Sequence, residues 1–288
     1  MKEPDFSTSS RIAIIGLGLM GGSLALALRD HGQQLLGCDQ DPAALELAQK
    51  QNLFVKLSHD PAEILPEAQV VILATPVHSI LESIKQLPDL HPGSPIVLDL
   101  GSTKTEVMKA MEKLPSRFDP LGGHPMCGKE MPGFENAEAG IFQGAAFVFT
   151  PLERTSKTAR SFAEQMASAV GAHTLWLDPE THDQWSAATS HLPYLVSSAL
   201  VGSTPSQVKP MVSSGFRSTT RIAGTPASIM LDVLETNREN ILAQLEKLLQ
   251  LLEEYQEMLS SGDYAALKSI LDMNANEQQD LVSGQEDT

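Results

Sequence analysis

Cysteine, basic side chains and long apolar runs are the scarce features of this 288-residue chain. Its two cysteines, Cys38 and Cys127, supply no disulfide framework, and neither sits at a metal-ligand spacing. Lysine and arginine total 20 against 36 aspartates and glutamates, a formal net charge of −16. A field of that sign repels phosphate backbones and anionic membrane surfaces, so no nucleic-acid or membrane partner is expected. An anionic substrate would need its own cluster of positive groups. No stretch reaches the ~18 consecutive apolar residues of a membrane helix. Residues 1–10 are polar and lack the apolar core of a secretory leader. Internal repeats and low-complexity segments are absent as well. Together these absences describe a soluble, cytoplasmic protein with reduced thiols.

What is present is an ordinary globular composition, 42% hydrophobic and 19% charged, in a chain long enough for two domains. Near its start an apolar run, Ile12-Ala13-Ile14-Ile15, ends in Gly16-Leu17-Gly18-Leu19-Met20-Gly21 and passes at once into a helix-forming stretch. In this G-x-G-x-x-G pattern Gly16 allows the tight turn and Gly18 lets a pyrophosphate approach the backbone. Gly21 lets the new helix pack closely on the strand. The first turn, with Leu19 and Met20, offers free N–H groups and a positive dipole end to phosphates. A second apolar run ends at Asp39, about 20 residues on, where a ribose diol is expected. A carboxylate there accepts from both hydroxyls and repels a 2′-phosphate. No arginine stands beside it, so the cofactor expected is NAD rather than NADP.

Strand and helix patterns then alternate. Strands are expected at 11–15, 34–39, 53–57, 70–75 and 96–100, and helices at 21–30, 42–51, 77–87 and 103–114, which implies a parallel sheet covered on both faces. Residues 119–140, rich in Gly, Pro and Met, are expected to be a functional loop. Two further strands, at 145–150 and 173–177, flank a helix at 155–170. From about Asp178 only helices are expected, at 179–201, 205–216, 226–259 and 263–277. Within 241–259, Leu242, Leu245, Leu248, Leu249 and Leu252 form an apolar stripe at helical spacing, assigned to packing. The fold class is therefore α/β: a flexible tail at 1–10, a Rossmann-type dinucleotide-binding domain at 11–177, and an all-α domain at 178–288.

Ligands of such sheets sit beyond the carboxyl ends of the strands. Thr75-Pro76, Gly101-Ser102-Thr103-Lys104 and Gly122-Gly123-His124-Pro125-Met126-Cys127-Gly128 all fall there. Thr75, Pro76 and Ser102 join the glycines and Asp39 as cofactor-binding candidates. His124, enclosed by Gly and Pro, is the candidate acid/base. Ser102 could bond a neighbouring imidazole or cap the next helix. Lys104 is expected as a solvated first-turn side chain, and His182 as a structural residue at a helix start. The segment 214–224 carries Arg217 and Arg221 among hydroxyls and no acid. Either could grip a carboxylate through two parallel N–H···O bonds, Arg221 being the stronger candidate.

Several stretches together resemble the prephenate/arogenate dehydrogenase family of tyrosine biosynthesis. They are Gly16–Ser23, Ala74-Thr75-Pro76-Val77, Asp99-Leu-Gly-Ser102-Thr-Lys104, His124-Pro-Met-Cys-Gly128, Ser190-His-Leu-Pro193 and Gly215-Phe-Arg-Ser-Thr-Thr-Arg221-Ile-Ala223. The resemblance implies a helical domain that forms a homodimer and closes the cleft. It implies that His124 takes the C4 hydroxyl proton of a cyclohexadienol as hydride leaves for NAD, with Ser102 orienting the histidine. It further implies that Arg221 holds the ring carboxylate and His191 helps position the substrate. The acid Glu130, two residues past the glycine, matches the prephenate-type pattern, whereas Pro226 through Met230 depart from it. The expected reaction is oxidative decarboxylation of prephenate to 4-hydroxyphenylpyruvate, with arogenate as the alternative substrate. A β-hydroxyacid dehydrogenase would want a lysine base in a glycine-rich setting, which Lys209, Lys247 and Lys268 lack. A non-catalytic NAD-binding sensor would need neither His124 nor a ligand arginine.

Overall fold

The computed structural model describes residues 10–283. Most of the expected tail lies outside them, but Ser10 is buried and its carbonyl accepts from Gln34 N–H at 2.9 Å. The strands are β1 (Arg11–Ile15), β2 (Gln34–Cys38), β3 (Phe54–Ser58), β4 (Val70–Leu73), β5 (Ile96–Asp99), β6 (Asp119–Pro125), β7 (Ala146–Pro151) and β8 (His173–Trp176). They form one sheet in the order β3-β2-β1-β4-β5-β6-β7-β8. Neighbours run parallel except β6 and β7, which are antiparallel. The helices of this part are α1 (Leu19–Ala27), α2 (Pro42–Lys50), α3 (Val77–Leu90), α4 (Thr105–Glu112) and α5 (Lys157–Ala169).

The strands are apolar on both faces because both faces are covered. Successive side chains alternate sides, so Ile12, Ile14, Val70 and Ile72 enter one core with Leu24, Phe147 and Phe162. Ala13, Ile15, Val71 and Leu73 enter a second with Ile80, Ile84 and Met111. Burying one such Ile or Leu stabilises the fold by about 1.5–3 kcal/mol. Strand order reverses at β1, flanked by β2 and β4, and the crevice above that switch point is where such sheets hold ligands.

One strand was not expected. Residues 119–125, assigned to a loop, form β6, so His124 stands on a strand, in register with Val148. Two glycines and two prolines disguised it. Both glycines are demanded by neighbours: a Cβ on Gly122 would lie 2.1 Å from Thr150 Oγ1, and one on Gly123 2.8 Å from the Asp99 carbonyl.

The helical part continues with α6 (Pro179–Ser186), a π-helical turn at Ala187–His191, α7 (Leu192–Ser203), α8 (Ser214–Thr220), α9 (Ala227–Thr236), α10 (Arg238–Ser261) and α11 (Tyr264–Ser283). The expected helix at 179–201 is thus interrupted by the π turn. Pro193 has no N–H for the carbonyl four residues back, and its ring crowds that carbonyl, so the wider turn resolves the conflict. The expected helix at 205–216 is a 3-10 turn, Ser206–Met211, followed by α8. The expected helix at 226–259 breaks at Asn237, whose φ of −120° and ψ of 22° leave the helical region.

By its contacts the chain divides into two compact units, 1–240 and 241–288. In the second, Leu242, Leu249 and Leu252 are each about half exposed. No described helix is long and apolar enough to cross a membrane.

Candidate active site

The glycine turn of the first unit is built as a cradle. Gly16 adopts φ +96°, and a Cβ there would lie 2.7 Å from the Ala74 carbonyl. A Cβ on Gly21 would fall 1.9 Å from the Gly16 carbonyl, so only glycine lets α1 begin this close to β1. Gly18 is different: a Cβ there meets no protein atom within 4 Å. Its missing side chain serves open space, not packing. The first intrahelical bond of α1 runs from Gly22 N–H to the Gly18 carbonyl at 2.9 Å, leaving the N–H groups of Leu19, Met20 and Gly21 free of helical partners.

Beside this turn lies a cleft of about 550 Å³, lined by Gly16, Gly18, Asp39, Gln40, His59, Thr75, Pro76 and His78 among others. Asp39 Oδ2 accepts from Leu17 N–H at 2.6 Å and Oδ1 from Asp41 N–H at 2.9 Å, which fixes the carboxylate at the rim. Each oxygen keeps a lone pair for a further donor. Thr75 Oγ1 is buried without a hydrogen-bond partner among the described residues. Among the described residues no lysine or arginine lines the cleft. Open space over Gly18, free helix N–H groups, an unpaired hydroxyl and a fixed carboxylate are what a dinucleotide with an unphosphorylated ribose requires.

Beyond β5 a buried ion pair organises the next turn. Lys104, expected in solvent, is fully buried, and its ammonium contacts the Asp99 carboxylate, which is also fully buried. Lys104 Nζ donates to the Gly123 carbonyl at 2.7 Å, and Asp99 accepts from Gly101 N–H at 2.8 Å and Gly123 N–H at 3.3 Å. Burial pushes the Asp99 carboxyl up and the Lys104 ammonium down, each offset in part by the other. The pair ties β5 to β6 one residue from His124. The spacing Asp99-Leu-Gly-Ser-Thr-Lys104 carried this signal, but a lysine is so seldom buried that solvent was the natural assignment.

His124 is half-buried, and its Nδ1 lies 2.9 Å from His182 Nε2. His182 Nδ1 lies 2.8 Å from Asp183 Oδ1. His182, expected as a structural residue at a helix start, thus also links His124 to Asp183. Asp183 in turn accepts from Lys104 N–H at 2.7 Å and Thr105 N–H at 2.9 Å, so the start of α4 is capped from α6 and not by a local Ser or Thr. Burial raises the Asp183 carboxyl, but the bonds from His182, Thr105 and Lys104 outweigh it and hold the group below its ordinary range. Burial, reinforced by His182, Lys104 and His191, holds His124 well below the ordinary histidine range.

With both imidazoles neutral, these bonds allow one proton arrangement. Ionised Asp183 only accepts, so His182 carries its proton on Nδ1, and in the neutral ring its Nε2 accepts. His124 then donates from Nδ1, which leaves its Nε2 bare and basic. Ser102 is half-buried at the end of β5 and makes no hydrogen bond to His124 among the described residues; His182 occupies the orienting position instead.

His191 ends the π turn and is 1% exposed. Its Nδ1 lies 3.0 Å from Asn237 Nδ2, and its Nε2 has no partner among the described residues. Burial lowers its pKa to about 4. Arg221 forms an ion pair with Glu130, joining the segment after β6 to the 3-10 turn after α8. Arg217 is exposed and has no ion-pair partner among the described residues. Asp183 and Asn237, which no motif marks, also join the site. The adjacent His182-Asp183 pair was a visible sign; Asn237 had none.

Residues 24–176 match the family model described as prephenate dehydrogenase, nucleotide-binding domain, and residues 178–273 match prephenate dehydrogenase, dimerization domain. A prephenate dehydrogenase of Bacillus subtilis is 31% identical over 264 residues, which cover 88% of this chain and 71% of that protein. The structure of the Aquifex aeolicus prephenate dehydrogenase in complex with hydroxyphenyl propionate and NAD+ superposes with a TM-score of 0.86 at 26% identity, covering 94% of this chain and 98% of the other. The Synechocystis arogenate dehydrogenase superposes with a TM-score of 0.80 at 28% identity, covering 94% and 100%.

Proposed function

The chain belongs to the prephenate dehydrogenase family, and from that membership we propose that it is a cytoplasmic, NAD-dependent enzyme converting prephenate to 4-hydroxyphenylpyruvate and CO2. The observation that carries the reading is the chain of contacts from His124 through His182 to Asp183, which with neutral rings leaves His124 Nε2 free to accept a proton. Gly16, Gly18, the first turn of α1, Thr75 and Asp39 would hold the dinucleotide. When bound, NAD supplies the hydride acceptor for C4 of the ring.

His124 takes the proton of the C4 hydroxyl as that carbon is oxidised. The new positive charge is shared through His182 towards ionised Asp183, whose bonds from the Lys104 and Thr105 N–H groups are already in place. The ring carboxylate then leaves as CO2, its bonding electrons aromatise the ring, and His124 returns the proton to the C4 oxygen. Arg221 already holds one carboxylate, that of Glu130, and would exchange it for the ring carboxylate. The unhindered Arg217 and Ser102 stand as further contacts, and aromatisation leaves alignment as the main task of the site.

Arogenate is a second reading, because the Synechocystis arogenate dehydrogenase covers as much of this chain as the Aquifex enzyme does. The test is NAD and NADP reduction with prephenate and arogenate separately. Faster NAD reduction with prephenate supports the proposal. Faster reduction with arogenate reassigns the substrate, preference for NADP removes the role of Asp39, and no reduction with either removes the activity.

We also propose a homodimer built on the helical part, since half-exposed Leu242, Leu249 and Leu252 form a row that water alone does not favour. Light scattering that finds only monomer at micromolar concentration would contradict it.

A further inference from the structure

We infer that Asn237 is a positioning residue that fixes the tautomer of His191, so that His191 Nε2–H is presented as a donor to a substrate oxygen. The inference rests, for its second half, on the function proposed above. It starts from the orientation of one amide. Asn237 is 3% exposed, and its Nδ2 lies 2.7 Å from the Asp183 backbone carbonyl, which can only accept. Its Oδ1 lies 2.8 Å from Asn240 Nδ2, a donor. The backbone carbonyl decides which end of the amide is nitrogen, and the Asn240 contact is compatible with it, so the group cannot be turned over without losing the bond to Asp183.

The second hydrogen of Asn237 Nδ2 points to His191 Nδ1 at 3.0 Å. A donor facing Nδ1 requires a lone pair there, which places the ring proton on Nε2. That Nε2–H is buried and has no partner among the described residues. Buried donors are nearly always satisfied, and one left open beside a catalytic histidine is a place for a ligand acceptor. The burial that lowers His191 to about 4 keeps the ring neutral, so it offers a hydrogen bond and not a charge.

Asn237 also explains why α9 stops where it does. Leaving the helical region at this residue turns its side chain to the Asp183 carbonyl, and the same amide therefore spans α6, which carries His182 and Asp183, and the π turn that carries His191. The two halves of the site share one support.

The experiment is a long-range 1H–15N correlation spectrum of the full chain labelled with 15N-histidine, with the His191 signals assigned by their loss in His191→Gln. The wild type should show the neutral Nε2–H tautomer between pH 6 and 8, and 4-hydroxyphenylpyruvate should shift the Nε2–H resonance downfield. In Asn237→Asp the carboxylate accepts, so the proton should move to Nδ1, and KM for prephenate should rise about tenfold while kcat changes less than about threefold. An Nδ1–H or charged His191 in the wild type overturns the inference without any variant. So does an Asn237→Asp enzyme with the tautomer and KM unchanged. An Nε2–H tautomer in a wild type that turns over neither prephenate nor arogenate would support the role of Asn237 while removing the proposed function.

Discussion

His182 meets His124 at 2.9 Å through one ring nitrogen and Asp183 at 2.8 Å through the other. The middle residue decides where the proton of His124 lies. His182→Gln keeps a side chain of similar reach but cannot donate to Asp183 and accept from His124 through one conjugated ring. It should lower kcat by about 10- to 100-fold with a smaller change in KM, because the lost interaction strengthens only as His124 becomes charged. Steady-state kinetics with prephenate check this, and an unchanged kcat would return His182 to a purely structural role.

The Asp99–Lys104 pair is wholly buried, so removing one partner strands a charge. Lys104→Met should destabilise the protein by about 3–5 kcal/mol, whereas the double variant Asp99→Leu, Lys104→Met should recover a good part of that loss. Urea denaturation of the three proteins measures it. A double variant no better than the single would show that the bonds to Gly101 and Gly123 matter more than the charge.

Acid should weaken the fold in a defined window. His91, His124 and His191 are all held below the ordinary value of 6.5, chiefly by burial, His191 at about 4. In that range the unfolded chain binds more protons than the folded one. The stability that these residues contribute is therefore full above pH 6.5 and lost as pH falls towards 4. The urea midpoint should be lower at pH 5 than at pH 7.5. For the same reason kcat/KM should stay flat as pH drops through 6.5, failing only when His124 itself protonates; an acid limb centred at 6.5 or above would contradict its burial.

Legibility in the sequence followed the range over which each feature is determined. Val70–Leu73 is plain because a strand covered on both faces must be apolar throughout. The turn from Gly16 to Gly21 is plain because Gly16 and Gly21 answer to each other, a few residues apart, and to Ala74 just past β4. β6 was hidden because Gly122 and Gly123 answer to Thr150 and Asp99, far off in sequence, and their small size reads locally as a loop. With β6 hidden, nothing linked His182 to His124, 58 residues apart. Lys104 was misassigned because charge predicts solvent until a buried partner is known. The helix break at Asn237 falls within six consecutive polar residues, 235–240, that carry no glycine or proline to mark it.

The most direct test of the account is single-turnover and steady-state NAD reduction by His124→Asn, with NAD binding followed in parallel by fluorescence. Asparagine keeps a polar side chain of similar reach but has no basic nitrogen. NAD affinity should stay within about threefold of wild type, and kcat with prephenate should fall by about 10²-fold or more. A variant that binds NAD normally and turns over prephenate at a near-normal rate would show that the proton leaves by another route.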